Sequence, residues 1–171
     1  GHRVKMDRLA ALFTEHGLRD VSTFIASGNV IFSTDSEDVG NLAGTIEEHL
    51  EGELGYEVAT FLRSPAHLSA IVQFSQPDPV VQAWADPSQY VMFVDAPIPQ
   101  ALRSNLNGLN SQTDRFHFAE TEVHWLLKGK MSESPLFGGA MDRATKGFRT
   151  TTRNMNTLRR IGAKTGSSES R

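Results

Sequence analysis

Two segments in which apolar and polar residues alternate constrain the fold of this 171-residue chain more than any other feature. Each is interrupted by a turn signal, Gly28-Asn29 in the first and Glu120-Thr121 in the second. Alternation with a period of two is typical of a half-buried β-strand, and two such runs around a short turn predict a hairpin. The sequence therefore predicts two antiparallel hairpins, one in each half of the chain.

The segments around these hairpins predict the remaining elements. The first 63 residues are predicted to form α-β-β-α-β, and the second half is predicted to form β-α-β-β-α-β-α. A β-α-β-β-α-β unit is characteristic of the ferredoxin-like fold. We therefore expect an α+β protein of two ferredoxin-like (α/β-plait) subdomains with antiparallel sheets. The first strand of the first subdomain is missing, because almost no sequence precedes its helix, and we expect an N-terminal truncation.

The predicted domain organisation follows from this order. We expect the first subdomain over residues 1–64, with its last strand in the segment YEVATFLRS, and a connecting helix and loop over residues 65–88. The second subdomain and a C-terminal helix occupy residues 89–163, and residues 164–171 have the composition of a disordered tail. A sheet without its first strand has an open edge, through which we expect self-association.

The composition excludes several kinds of protein. The chain has no cysteine, which excludes disulfides, thiol catalysis and cysteine-based zinc sites. No apolar run approaches the roughly 18 residues of a membrane helix, and the N-terminus does not resemble a signal peptide. No glycine-rich loop of the P-loop or Rossmann type occurs, so we assign no cofactor. We expect a cytoplasmic protein with no membrane partner.

The charges are distributed unevenly along the chain. Residues 1–127 contain seven Lys or Arg against seventeen Asp or Glu, whereas residues 128–171 contain ten Lys or Arg against three acids. A basic C-terminal quarter indicates either a surface that binds anions or a segment that packs on the acidic remainder of its own chain.

The second hairpin brings two histidines together. If Glu120-Thr121 forms its turn, His117 on one strand lies directly opposite His124 on the other. Two imidazoles could bind zinc or copper, but no motif supplies a third ligand, so we assign no metal. His117 and His124 are the acid/base candidates if the chain is an enzyme, and the catalytic residues otherwise remain unassigned.

The segment TTTRNMNTLRR, residues 150–160, combines hydroxyls, amides and cations. We expect Thr152 to be the N-cap of a final helix that runs from about Arg153 to Ala163. The free N–H groups and the dipole of a helix N-terminus attract phosphate or carboxylate. This helix has Arg153 in its first turn and no acid through Lys164, so an anion would offset unfavourable electrostatics.

Our leading hypothesis joins this helix start and the first hairpin turn in one anion-binding site. Gly28 would allow close backbone approach, Ser27 and Asn29 would supply hydrogen bonds, and Arg153 would supply charge. The ligand would be a nucleotide, a phosphate or a nucleic acid. The residues assigned to the site are Ser27, Gly28, Asn29, Thr152, Arg153, Asn154, Asn156 and Thr157.

Two alternatives use the same residues differently. In the first, the chain is a structural or interaction module with no small-molecule ligand, and residues 152–157 lock the last helix to the first half. In the second, the chain is an enzyme in which His117 or His124 is the acid/base group. The sequence alone leaves these alternatives open.

Three segments resemble one bacterial family, known as domain of unknown function 1697. They are GHRVKMDRLAALFTEHGLRDV, TFIASGNVIF and TTTRNMNTL, and their order extends over nearly the whole chain. The family has Tyr where this chain has Phe24, Gln where it has Ala26 and Trp where it has Met155. The resemblance implies two α/β-plait subdomains and implies no known reaction.

Overall fold

The computed structural model describes residues 3–25, 28–95 and 97–169. It combines helices with two antiparallel sheets, of two and four strands, and the α+β class predicted from the sequence is confirmed. The chain divides into two compact units, residues 1–62 and residues 63–171. Among the described residues, no helix has the length and apolar character needed to cross a membrane.

The first unit contains two helices and one hairpin. Its elements are α1 Met6–Glu15, β1 Arg19–Phe24, β2 Asn29–Ser33 and α2 Val39–Leu54. Apolar residues at helical spacing on α1 and α2 form its core, among them Leu12, Phe13, Ile46 and Leu50. Asp38 caps α2, since its carboxylate accepts a hydrogen bond from the Asn41 amide at 3.0 Å. Local amphipathic patterns thus account for most of this unit.

The turn of the first hairpin lies earlier than we predicted. Phe24 pairs with Asn29, so Asn29 is the first residue of β2 and does not belong to the turn. The Asn29 amide group donates to the Phe24 carbonyl at 3.1 Å, which fastens the two strand ends in this register. Gly28 has a φ of +80°, the left-handed conformation that glycine adopts without a steric penalty.

The strand predicted in residues 56–64 does not form, and β1 and β2 are the only strands in the described part of the first unit. Val58 and Leu62 still pack on the core, as the apolar pattern indicates. The Thr60 N–H donates to the side-chain carboxylate of Glu47 at 2.8 Å. A side-chain acceptor on α2 thus replaces one hydrogen bond that a neighbouring strand would have made.

The second unit contains the remaining elements. They are α3 Pro65–Gln73, α4 Pro79–Gln82, β3 Pro87–Val94, α5 Gln100–Asn107, β4 Asp114–Phe118, β5 Glu122–Lys128, a 3₁₀ turn Met131–Glu133, α6 Gly139–Thr145, β6 Thr150–Asn154 and α7 Met155–Glu169. From β3 onward the helices and strands follow the predicted order. The strands form one antiparallel sheet in the order β4-β5-β3-β6, in which β5 lies between the two strands of a β-α-β unit. This arrangement is compatible with the predicted ferredoxin-like subdomain.

The two faces of this sheet differ in chemistry. One face carries apolar side chains such as Val123 and Trp125, which pack with residues of α5 and α6 in the core of the unit. Because side chains alternate between the two faces along each strand, the strand register identifies the residues of the opposite face. It carries Gln89, Val91, Phe93, Arg115, His117, Glu122, His124, Thr151 and Arg153. This second face, which we call the polar face, contains three of the candidate functional residues, His117, His124 and Arg153, whereas Thr152 and Asn154 lie on the apolar face.

The last helix begins later and ends later than we predicted. Thr152 and Arg153 are not in its first turn, because they pair with β3 in strand β6. Consecutive threonines favour a strand, and the neighbouring strand supplies hydrogen-bond partners for the backbone. The tail predicted to be disordered from residue 164 instead continues α7 to Glu169, and within it the Thr165 hydroxyl donates to the Gly162 carbonyl at 3.2 Å.

Candidate functional site

The predicted site residues lie in both units. Gly28 and Asn29 lie at the end of the first hairpin, whereas Ser27 lies outside the described residues. Thr152, Arg153 and Asn154 are on β6 of the second unit, and Asn156 and Thr157 follow in the first turn of α7. The five residues of the second unit are therefore close in the sequence, but Thr152 and Asn154 lie on the opposite face of the sheet from Arg153. A single site that joins them to the first hairpin remains a prediction.

Asn154 organises the start of α7. Its side-chain oxygen accepts a hydrogen bond from the Asn156 amide N–H at 2.8 Å, as an N-cap residue does. The Asn156 side-chain oxygen in turn accepts from the Arg159 guanidinium at 3.0 Å. The cap is thus two residues later than predicted, and two amides of the motif stabilise the helix start.

Arg153 is partly buried on the polar face. Its Nη1 donates to the Thr151 hydroxyl at 2.7 Å and to the Thr152 carbonyl at 3.0 Å. Burial lowers the pKa of Arg153, because a charged guanidinium loses part of its hydration there. The strand that carries Arg153 therefore also helps to orient its guanidinium.

A row of side chains crosses the four strands of the polar face. His117 is directly opposite His124, as the sequence predicted, so this register is confirmed. His124 is also opposite Val91, and Val91 is opposite Arg153. The backbones of His124 and Arg153 are separated by two strand spacings, about 10 Å. The row places both histidines and the arginine on one surface of the sheet.

His124 is almost completely buried, with 1% of its surface exposed. The ring of Phe74 stacks on the imidazole, with centroids 4.1 Å apart, and the Gln89 amide donates to Nδ1 at 3.0 Å. The neutral ring therefore carries its proton on Nε2, which has no hydrogen-bond partner in the described chain. Burial lowers the pKa of His124 to about 4, although the negative charge of Glu122 acts in the opposite direction.

His117 lies beside a buried carboxylate. Its Nε2 is 2.9 Å from Oδ2 of Asp78, an ion-pair distance, but the ring N–H is not aligned for a hydrogen bond. The same carboxylate oxygen accepts from Arg115 Nε at 2.9 Å. Burial alone would raise the pKa of Asp78, but hydrogen bonds from Arg115 and the Val80 amide outweigh it and lower the pKa. Asp78 thus connects the histidine pair to the segment before α4.

A second buried carboxylate, Glu122, was not found by sequence reasoning. It is 2% exposed, and its Oε1 accepts from His67 Nε2 at 2.8 Å. Its Oε2 accepts from Arg63 Nε at 3.3 Å and from the Thr121 hydroxyl. Arg63 also donates to the Val94 carbonyl at 2.8 Å. His67 and Glu122 are 55 residues apart, so no local pattern could have associated them.

In the part of the chain that the structure describes, no three His, Asp or Glu side chains are arranged to hold a metal ion. Each of the two buried carboxylates at the polar face instead contacts two basic side chains, Glu122 with Arg63 and His67, and Asp78 with Arg115 and His117.

A cleft lies between α3 and α7, with a volume of about 420 Å³. Its basic lining residue is Arg159, which is exposed. A Cβ added to Gly162 or Gly166 on α7 would meet no atom within 4 Å, so these glycines border open space. The remaining lining residues are Pro65, Ala66, Ser69, Val72, Ala163 and Thr165. The cleft has polar and apolar lining in similar proportion and is basic at one position.

Comparisons with known proteins agree with the resemblance noted in the sequence. The sequence model of DUF1697, described as a protein of unknown function, matches residues 1–124. The structure is similar to that of the conserved bacterial protein SP0830 from Streptococcus pneumoniae, with a TM-score of 0.70 and 17% sequence identity. The match covers 96% of this chain and 90% of that one, and at this identity it shows the fold alone. No curated protein matches this sequence.

Proposed function

This chain belongs to the DUF1697 family of proteins of unknown function, and we propose that it binds an anionic ligand, a nucleotide or a nucleic acid. The observation that carries the proposal is the charge around β6 and α7. Between Asp142 and Glu169 the sequence has seven Lys or Arg residues and no Asp or Glu. The first turn of α7 contains no acid, so its N-terminal dipole adds to this positive charge.

The position of Arg153 supports the proposal. A guanidinium that is partly removed from water interacts more strongly with an anion, because the local dielectric constant is lower. Its bonds to Thr151 and Thr152 reduce the conformational entropy that it would lose when it binds a ligand. Asn156 and Thr157 lie in the adjacent turn of α7 and would contribute polar groups.

The cleft between α3 and α7 favours a nucleotide over a nucleic acid. Its volume of about 420 Å³ lies within the usual range of small-molecule sites, roughly 300 to 1,000 Å³. Arg159 would contact a phosphate, and the small residues of α7 would leave room for a ring beside the helix. The hydrogen bond from Arg159 to Asn156 connects this cleft to the motif at the start of α7.

Thermal unfolding in the presence of ligands tests the proposal. The wild type is heated with mononucleotides, with inorganic phosphate and with a single-stranded oligonucleotide. A ligand at 100 times its Kd adds about 2.7 kcal/mol of stability and raises Tm by roughly 5 to 10 °C. Arg153→Met and Arg159→Met should lose this shift, whereas Arg143→Met, which removes an exposed charge on α6, should keep it.

The outcomes separate the possible locations. If only Arg159→Met loses the ligand-induced shift in Tm, the ligand binds in the cleft. If only Arg153→Met loses it, the ligand binds at the β6–α7 junction. A shift with the oligonucleotide but not with mononucleotides would favour a nucleic acid. If no anion stabilises the wild type more than Arg153→Met and Arg159→Met, the proposal is wrong.

A structural or interaction module is the second candidate, favoured by the contacts of the two asparagines. Asn154 accepts from the Asn156 backbone and Asn156 accepts from Arg159, so the motif also serves to begin α7. Self-association through an open sheet edge belongs to this candidate, and size-exclusion chromatography over a range of concentrations tests it. We also propose a cytoplasmic location, which fractionation of cells that express the complete protein would test.

An enzyme that uses His117 or His124 has weaker support. His124 is covered by Phe74 and is buried, so a substrate would reach its ring only after a rearrangement. An acid/base group at neutral pH is most effective with a pKa near 7, whereas burial lowers the pKa of His124 to about 4.

A further inference from the structure

The segment between α3 and α4, residues 74–78, is attached to the sheet at its two ends. At one end, the ring of Phe74 stacks on His124, with an angle of 16° between the planes. At the other end, the Asp78 carboxylate accepts from Arg115 and lies beside His117. The three residues between them are exposed. Both members of the cross-strand histidine pair are therefore contacted by this segment, which we call the connector.

We propose that the connector is a pH-sensitive cover of the polar face, and that acid releases its Phe74 end while its Asp78 end stays attached. This inference is independent of the proposed anion site. It concerns the contacts around the histidine pair, whichever ligand the protein binds.

Protonated His124 would be destabilised while the Phe74 ring covers it, which we call the closed state. The charged or titratable groups on the polar face, or in contact with its residues, are Arg115 and His117 on β4, Glu122 on β5, Arg153 on β6, His67 on α3, Arg63 before α3 and Asp78 before α4. Helix α4 carries no titratable side chain, and Arg159, Arg160 and Lys164 of α7 are exposed. Both carboxylates already accept from arginines, and the negative charge of Glu122 offsets only part of the cost of a buried imidazolium.

If the Phe74 ring moves away, water can hydrate the imidazolium. Protonation of His124 therefore favours the open state. Attraction between an imidazolium and the Phe74 ring is worth about 0.5 to 2 kcal/mol and offsets only part of the cost of burial. In the closed state burial lowers the pKa of His124 to about 4, from 6.5 in water. That difference makes opening roughly 20-fold more favourable at pH 5 than at pH 7.

The Asp78 end responds differently to acid. The Asp78 carboxylate accepts from Arg115, whose guanidinium remains charged at any acidic pH, and from the Val80 amide at 2.9 Å. The pKa of Asp78 is lowered, so the carboxylate keeps its charge in the range where His124 takes up a proton. Acid therefore weakens one attachment of the connector and leaves the other intact.

NMR of the full chain between pH 7 and pH 5 tests the proposal. Nuclear Overhauser contacts between the Phe74 and His124 rings report the stack directly. Hydrogen exchange of the Phe74 amide, which donates to the Ile71 carbonyl at 3.3 Å, reports the end of α3. We expect the ring contacts to weaken and the protection factor of this amide to fall roughly 20-fold. The amides that pair β3 with β5 should keep their protection.

Two variants identify the responsible histidine. His124→Gln should remove the pH response at Phe74, and His117→Gln should retain it. If His124→Gln does not fold, the NMR titration of the wild type still tests whether acid releases Phe74. Ring contacts that persist unchanged to pH 5, or that disappear together with the β3–β5 amides, would overturn the proposal. A response that is lost in His117→Gln and kept in His124→Gln would also overturn it.

Discussion

The indole N–H of Trp125 donates to Oδ1 of Asp114 at 2.9 Å, inside the core of the second unit. Asp114 is 0% exposed, and it also accepts from the Ser134 hydroxyl at 2.7 Å and from the Thr113 hydroxyl at 2.8 Å. One buried carboxylate thus connects β4, β5 and the turn before α6. A buried polar group is tolerated at such a position only when it is hydrogen-bonded.

Asp114→Ala should be among the most destabilising single substitutions in this unit. It leaves the indole and two hydroxyls without their acceptor, and each unsatisfied donor costs about 1 to 3 kcal/mol. We expect the free energy of unfolding, measured with urea, to fall by about 3 kcal/mol or more. Asp86→Ala, at an exposed acid before β3, should change it by no more than about 0.5 kcal/mol. Equal effects of the two would contradict this assignment.

Glu122→Gln should cost more stability than removal of its partner His67. The glutamine leaves the Arg63 guanidinium, whose side chain is 12% exposed, beside a neutral group, and breaking a buried ion pair in this way costs about 3 to 5 kcal/mol. The His67 side chain is 41% exposed, so water can replace part of its contact, and we expect His67→Ala to cost about 1 kcal/mol. Urea unfolding of both variants at pH 7 gives the comparison. A larger loss in His67→Ala would show that Glu122 is not the centre of this cluster.

Stability should fall as the pH falls from about 6.5 to 4. The unfolded chain protonates His124 at its ordinary pKa of 6.5, whereas the folded chain protonates it only near 4. Between these values the unfolded state binds more protons, so the free energy of unfolding decreases by about 3 kcal/mol across the interval. Asp78 acts at lower pH, because its lowered pKa stabilises the fold above 3.8 and this contribution is lost below it.

Urea unfolding at several pH values between 7 and 4 checks this dependence. His124→Gln should be less stable at pH 7 but should lose the part of the pH dependence that His124 causes. A variant with the same pH dependence as the wild type would show that His124 does not carry the effect.

Two glycines near the end of α2 should respond in opposite ways to alanine. Gly52 lies inside the helix with nothing within 4 Å of an added Cβ, so Gly52→Ala should stabilise the protein by about 1 kcal/mol. Gly55 caps the helix with a φ of +81°, a conformation that costs other residues about 1 to 2 kcal/mol, so Gly55→Ala should destabilise it. The Tm of each variant gives the sign, and two changes of the same sign would contradict the assigned helix end.

The predictions from the sequence succeeded where neighbouring residues decide the structure. The turn at Glu120-Thr121 and the alternation around it were enough to place His117 opposite His124. The helix start at Thr152 was wrong because β3, about 60 residues earlier in the chain, pairs with Thr152 and extends β6 to Asn154. The strand predicted at residues 56–64 does not form, and here too a residue distant in the sequence is involved. The Thr60 amide donates to the carboxylate of Glu47 on α2.

The sequence by itself determined the α+β class, the order of elements in the second half and the register of its hairpin, because side-chain periodicity and turn chemistry are local. Only the tertiary structure brought His67 and Arg63 to Glu122, and Asp78 to His117. These contacts join residues that lie 39 to 59 positions apart in the chain. Each depends on how α3 and the connector pack on the polar face, and a buried charge is stable there only because the fold supplies its partner.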